Sequence, residues 1–259
     1  MLPSGPAGCT AGRRRPPRNR AAAAPGWHND SIQTVAPGRF GAPRVTGLAE
    51  DPAIMDPRSH WEKVYRTKQP TEVSWYRPHL EVSLQLIEEA APDRDAQVID
   101  VGGGESTFVD DLVARGYRNL DVLDVSATAI DVARERLGAG SDKVHWLCGD
   151  VTTFAFPAHR YDVWHDRAVF HFLTEAGDRA AYVRQVARAV KPGGHVIVAT
   201  FGPEGPTQCS GLNVARYDPE GLQREFGAGF RRVKHGTDLH RTPAGPVQQF
   251  IYCWCRVVA

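Results

Sequence analysis

Four aspartates mark the middle of this 259-residue chain, each at or just past the end of a short apolar run: Asp100, Asp124, Asp150 and Asp166. The first belongs to Gln97–Ser106, Q-V-I-D-V-G-G-G-E-S, where an apolar run turns on Gly102, Gly103 and Gly104 before a helical pattern begins. Glycines let a backbone turn sharply and approach a ligand closely, because no Cβ intervenes. The helix that follows presents N–H groups to whatever sits above the turn. The combination reads as a nucleotide-binding loop. A carboxylate such as Asp124 can accept both hydroxyl protons of a ribose, and Asp150 can accept from an adenine amine. His165-Asp166-Arg167 sets a base, an acid and a cation side by side. Each acid also has a plainer role: Asp100 bonding its own loop, Asp124 assisting Ser126 at a helix start, Asp150 serving a turn. Those roles compete singly; four carboxylates at four successive run ends favour a ligand.

Such residues converge only if the runs are strands of one open parallel sheet, where ligands bind at the carboxyl ends near a reversal of strand order. The patterning supports that. Strands are expected at Gln97–Val101, Leu120–Asp124, Val144–Cys148, Tyr161–Trp164 and His195–Phe201. Between them, helices are expected over Thr107–Arg115, closed by Gly116, and from Ser126 to Leu137, closed by Gly138. Another helix is expected over Asp178–Val190, stopped by Lys191-Pro192-Gly193-Gly194. Alternation at this spacing implies an α/β fold, a parallel sheet with helices on both faces. Gly202–Gly211 reads as a loop over the sheet edge. Asp218-Pro219-Glu220 reads as a helix start, and Arg231–His240 with Gln248–Val257 as a hairpin around Thr242-Pro243-Ala244-Gly245.

Upstream of the first strand, Ser59-His60-Trp61-Glu62 predicts a helix with Ser59 as N-cap and Glu62 as its capping-box partner. Trp61, Tyr65, Trp75 and Tyr76 fall in this segment, either as an aromatic flap over a ligand or as a staple to the core. Pro78 suits a first helical turn, and Leu80, Leu84 and Ile87 share one helical face.

Composition narrows the classes of partner. Residues 1–54 hold seven of the 31 basic and three of the 30 acidic residues, leaving 24 against 27 from Met55 onward. A mildly acidic body gives no electrostatic support to a nucleic-acid partner. Residues 1–54 are rich in Pro, Gly, Ala and Arg without apolar period and read as a disordered tail. A translation start at Met55 is a companion expectation, and residues 55–259 are read as one domain. Five irregularly spaced cysteines, Cys9, Cys148, Cys209, Cys253 and Cys255, read as reduced thiols rather than metal ligands. No run approaches the ~20 apolar residues of a membrane span, so a cytoplasmic protein without a membrane partner is expected.

These landmarks, in this order, resemble class I S-adenosylmethionine-dependent methyltransferases, and the likeness covers Trp61 to the C-terminus. Asp100-Val-Gly102-Gly103-Gly104 resembles the motif that cradles the methionine part of the cofactor, and Asp124-Val125 the acid-bearing segment at the ribose. Gly149-Asp150-Val151 is similar to the segment beside adenine, and Lys191-Pro192-Gly193-Gly194-His195 to the turn before strand five. Ser106 stands where the family has its third glycine, as a ligand donor or a helix cap. The resemblance implies a doubly wound, Rossmann-like sheet of seven strands, mostly parallel with an antiparallel strand in the C-terminal hairpin. It also implies S-adenosylmethionine as cofactor.

Trp61-Glu62-x-x-Tyr65 and Glu72-Val-Ser-Trp75-Tyr76 are similar to bacterial type-12-like methyltransferases and, more distantly, elongation-factor lysine methyltransferases. His165-Asp166-Arg167-Ala168 is similar to the D-R-A segment of thiopurine-type enzymes. The expected reaction is methyl transfer to a small molecule through S, Se, N or O, with a protein lysine as the alternative and nicotinamide-dependent oxidation as a third reading. His165 is the candidate base, with Asp166 or His171 assisting. Arg167 is placed either on an anionic substrate or on Asp166. Trp61, Tyr65, Trp75, Tyr76 and His171 are the candidate substrate contacts.

Overall fold

The run at 97–101, buried at four of five positions, becomes β1 (Gln97–Val101) in the middle of a seven-stranded sheet. The structure, a computed structural model, describes residues 56–258. The expectations for the tail at 1–54 lie outside those residues. Around β1 the sheet holds β2 (Asn119–Asp124), β3 (Val144–Cys148), β4 (Tyr161–Arg167), β5 (Val190–Phe201), β8 (Phe230–Arg241) and β9 (Val247–Val257). A short separate hairpin is formed by β6 (Gln208–Cys209) and β7 (Leu212–Asn213). Strand order is β3-β2-β1-β4-β5-β9-β8. All neighbours from β3 through β5 pair in parallel, whereas β9 runs antiparallel to both β5 and β8. Order reverses between β1 and β4, so the ligand crevice belongs there.

Among the described residues six α-helices accompany the sheet: α1 (Pro57–Thr67), α2 (Glu81–Ala90), α3 (Phe108–Ala114), α4 (Ala127–Leu137), α5 (Ala176–Ala189) and α6 (Pro219–Phe226). Leu84 and Ile87 of α2 pack with Phe108 and Leu112 of α3 on one face of the sheet. Tyr182 and Val186 of α5 pack with Leu222 and Phe226 of α6 on the other. Capping chemistry fixes several boundaries where the sequence puts them. Ser126 accepts from the Ala129 amide, Asp218 from the Gly221 amide, and Gly138 leaves α4 with a positive φ.

Elsewhere the structure departs from expectation for identifiable reasons. Asp56, not Ser59, caps α1, because its carboxylate reaches the amides of Arg58 and Ser59. Pro78 precedes α2 rather than entering it. Strand β4 runs on to Arg167, and Lys191–Gly194 lies within β5 as an irregularity instead of a turn before it. Asp162 explains the second case: it holds the Lys191 ammonium at 2.8 Å while accepting from the Gln97 amide. The 202–211 segment is not all loop, since Ser210 and Gly211, both at positive φ, turn the β6–β7 hairpin. Cys253 and Cys255 are free, buried and on the same side of β9, with sulfurs 3.5 Å apart.

Asp166, read from sequence as part of the catalytic group, is a buried brace. It accepts from the amides of Val169 (2.9 Å) and Phe170 (3.1 Å) and from the Tyr182 hydroxyl (2.6 Å), which itself accepts from the Trp164 indole. Removing the carboxylate strands three donors in the core at about 1–3 kcal/mol each. Asp166→Ala is therefore expected to lower the unfolding free energy by at least about 3 kcal/mol. Urea unfolding followed by tryptophan fluorescence checks this; a loss under 1 kcal/mol would show the brace to be dispensable.

Candidate active site

A cavity of about 420 Å³ opens at the carboxyl ends of β1 to β5, beneath α1 and the β6–β7 hairpin. Its floor is the glycine loop. Gly102 takes a φ of +66°, and a Cβ there would collide with Val169. Gly104 (φ +47°) leaves room for Tyr65, whose hydroxyl lies 2.9 Å from where a Cβ would be. The Ser106 hydroxyl accepts from the Phe108 amide at 3.2 Å, as a cap does, and keeps its own proton for a further acceptor. Arg136 pins the loop from α4 by donating to the carbonyls of Glu105 (2.7 Å) and Ser106 (2.6 Å).

Beyond the loop, the ends of β2 and β3 supply the wall. Asp124 and Val125 line the cavity, and one Asp124 oxygen accepts from the Ser126 amide at 2.8 Å. Burial and the charge of Asp100 push the Asp124 carboxyl up to about 7. Asp150 and Val151 also line it. Asp150 builds a turn as well, accepting from the amide and hydroxyl of Thr152. Asp100 does not face the main cavity. With Gly103 and Tyr76 it borders a recess of about 40 Å³ behind the loop, and its carboxylate accepts from His165 Nδ1 at 2.7 Å.

The opposite wall is aromatic. Trp61 stands within 6 Å, ring to ring, of Tyr65, Trp75 and Phe172. Phe201 and Phe250 continue the surface. Glu62, expected to cap its own helix, instead reaches the N-terminus of α4, accepting from the Ala127 amide at 2.7 Å and from the Thr128 hydroxyl. That clip holds α1 over the cavity. Arg167 enters between the aromatics, its guanidinium 4.4 Å over the Phe250 ring. Its sole hydrogen bond is a long one to the Trp75 carbonyl, 3.4 Å, and Nη2 is buried without a partner. Burial and Arg77 pull its pKa down to about 10.

Two further candidates are engaged away from the main cavity. His165 Nδ1 donates to Asp100, Nε2 accepts from the Ser83 hydroxyl at 2.9 Å, and the ring packs on Phe108, as a packed strand-end histidine does. His171 lies under the aromatic wall, outside the cavity lining, with Nδ1 accepting from the Phe201 amide. Burial drives its pKa down to about 3. Conversely, His60, Cys209, Asn213 and Phe250 line the cavity without having been nominated. Nothing in the local sequence marks them, because α1, the hairpin and β9 reach the site only through tertiary packing.

Comparison with known proteins gives a consistent picture. Residues 98–194 match a family model described as a methyltransferase domain. The chain is 27% identical over 139 residues to the eEF1A lysine and N-terminal methyltransferase of Mus musculus, covering 53% of this chain and 19% of that protein. It is 27% identical over 123 residues to the biotin biosynthesis bifunctional protein BioHC of Cellvibrio japonicus, covering 47% and 23%. It is 22% identical over 208 residues to human EEF1A lysine methyltransferase 2, covering 75% and 81%. The chain thus spans about a fifth of the length of the first two. Among solved structures, a SAM-dependent methyltransferase from Anabaena variabilis superposes with a TM-score of 0.61 at 14% identity, covering 78% of this chain and 96% of that one.

One buried carboxylate remains unpaired at the loop. Both oxygens of Glu105 lack partners, and burial raises its pKa to about 7. An unfolded glutamate titrates near 4.3, so between about pH 4 and 7 the folded chain binds the extra proton and this group's contribution to stability falls as pH rises. Glu105→Gln is expected to raise the melting temperature at pH 8 and to change it much less at pH 5. Paired thermal scans at the two pH values check the sign.

Proposed function

We propose that the chain is a class I S-adenosylmethionine-dependent methyltransferase that transfers methyl to a small, largely apolar acceptor bearing no positive charge. The cofactor supplies a methyl group on a sulfonium sulfur, already a good leaving group. The residues present fit it. Gly102 gives a floor that a Cβ would obstruct, and Asp124 offers an acid toward a ribose diol. Val125, Asp150 and Val151 border the space for an adenine. Aromatic faces at Trp61 and Tyr65 favour a neighbouring positive charge. The protein's task is then alignment of acceptor and methyl, worth ~7–11 kcal/mol when geometry is right.

Arg167 carries the choice of acceptor. A desolvated guanidinium with one long hydrogen bond repels an incoming ammonium and welcomes an acid or a polarisable anion. Its positive neighbour Arg77 is already compensated by Asp238 at 3.1 Å. The uncompensated charge at this end of the cavity is therefore positive, which supports a neutral or anionic small molecule. The second reading, a protein lysine, draws on the relatives named as lysine methyltransferases and on the aromatic faces of Trp61 and Trp75. A nicotinamide cofactor is disfavoured by the antiparallel β9 beside β5.

Calorimetric titration of the full chain with S-adenosylhomocysteine, with NADH in parallel, is the primary test. Binding of the former alone is expected, weakened at least tenfold by Asp124→Ala; no binding to folded protein would sink the reading. For the acceptor, methyl release from labelled cofactor is measured with small acids against lysine peptides. Arg167→Met is expected to lower turnover of acids by about tenfold or more, the scale of a lost charge-assisted hydrogen bond. Preferential turnover of lysine peptides by the unaltered chain would transfer the assignment to the second reading.

A further inference from the structure

Methyl transfer to a thiol, hydroxyl or ammonium releases a proton, and something must take it when the acceptor is still protonated at working pH. The groups expected to do this from sequence are engaged elsewhere. Three histidines near the acceptor end have committed ring nitrogens. His165 is bonded on both sides. His240 accepts from Arg77 Nε at 2.8 Å on Nδ1 and therefore donates through Nε2 to the Ser74 carbonyl at 2.6 Å. His171 accepts on Nδ1, so its Nε2 carries the proton and has no lone pair to offer. Burial lifts the Cys209 thiol to about 11 and Tyr65 well above its ordinary range, so neither is ionised near neutrality.

His60 is different. It is 9% exposed, lines the main cavity, and has no side-chain hydrogen-bond partner. Its Nε2 is buried without a hydrogen-bond partner, and the Ser210 backbone at the tip of the β6–β7 hairpin is the polar group that favours its charged form. The ring is fixed edge-on to Trp61, with centroids 5.3 Å apart. We propose that His60 is the proton acceptor of the methyl-transfer site, serving an acceptor that arrives in its protonated form. This rests on the methyltransferase reading above and deepens it. The acceptor's lone pair forms the bond to the methyl carbon. The carbon–sulfur bond breaks with its electron pair passing to sulfur, and the acceptor's proton goes to the free ring nitrogen and then to water.

The surroundings keep the ring neutral. Burial lowers its pKa, as do the charges of Lys63 and Lys68 on and just beyond the same helix, against the Ser210 backbone, which raises it. Arg167 of β4 and the un-ionised Cys209 of the hairpin line the same cavity. A base of this kind is active above its pKa, so the rate should climb through a value below 6.5 and stay level at neutral pH.

Two measurements on the full chain test the proposal. Diethyl pyrocarbonate modifies accessible, unprotonated imidazoles; peptide mass mapping at pH 7 is expected to find His60 modified along with exposed His79 and His145, while His165, His171 and His240 are spared. An unmodified His60 under conditions where His79 reacts overturns the proposal, whatever the acceptor is. In the second, His60→Gln is expected to bind S-adenosylhomocysteine within twofold of the unaltered chain, yet to methylate 4-hydroxybenzoate or mercaptoacetate about 10²-fold more slowly. Its rate should then rise with the acceptor's own ionisation instead of levelling off. An unchanged rate and pH profile also overturns it. Failure of S-adenosylhomocysteine to bind the unaltered chain would instead remove the methyltransferase reading, an outcome the modification experiment keeps separate.

Discussion

Asp100 and His165 are register partners on β1 and β4, the two strands between which the sheet's order reverses. Their side chains meet at 2.7 Å, each at most 7% exposed. A buried pair of this kind is costly to break, because either partner left alone is an uncompensated polar group. Everything above it depends on the contact. The second Asp100 oxygen lies so close under Gly103 that a Cβ there would sit 2.7 Å from it, so the acid is the bed of the glycine loop. On its far side His165 is tied to Ser83 of α2 and packed on Phe108 of α3. One hydrogen-bonded pair thereby links two strands, two helices and the loop at the crevice, which makes it a scaffold.

The cover is held by a different economy. Helix α1 has few buried residues of its own, His60 and Val64, and is kept in place by Glu62 reaching across to the exposed amides of α4. A carboxylate at a helix N-terminus satisfies donors that the helix itself cannot. The interaction lowers the Glu62 pKa despite its desolvation. Because the clip involves one side chain, whereas the floor involves a sheet and two helices, the cover is the part of the site with the lower local stability.

How far the site could be read in the sequence follows from the range of the interactions involved. The sheet, its helices, most caps and the glycine loop were legible, because apolar periodicity and capping are local; Ser126 and Asp218 cap where their spacing says. Asp124, Val125, Asp150 and Val151 reach the cavity from positions at or just past strand ends on the crevice side. His165 and Asp166, within β4 itself, are placed differently. Residue type at a strand end does not say whether a side chain faces the ligand or the neighbouring strand, and these two face inward to Asp100 and Tyr182. Glu62 was read against its nearest serine, when its partner lies 65 residues away. His60, Cys209 and Phe250 arrive from three separate segments, and no spacing rule connects them.

The finished cavity is electrically divided. At the end formed by β2, burial has raised the Asp124 carboxyl to about 7, and Glu105, on the recess behind the glycine loop, is raised to about the same value, so positive charge near either relieves a desolvation penalty already present in the fold. At the other end Arg167 is a guanidinium under the opposite strain, and behind the lining His171 is kept neutral by burial and by that same charge. Between them lie rings, Trp61, Trp75 and Phe172, that carry no charge and exclude water. Carboxyls and a guanidinium thus stand at opposite sides of an aromatic section, whose low polarity lets the fields of both act strongly on whatever lies between them.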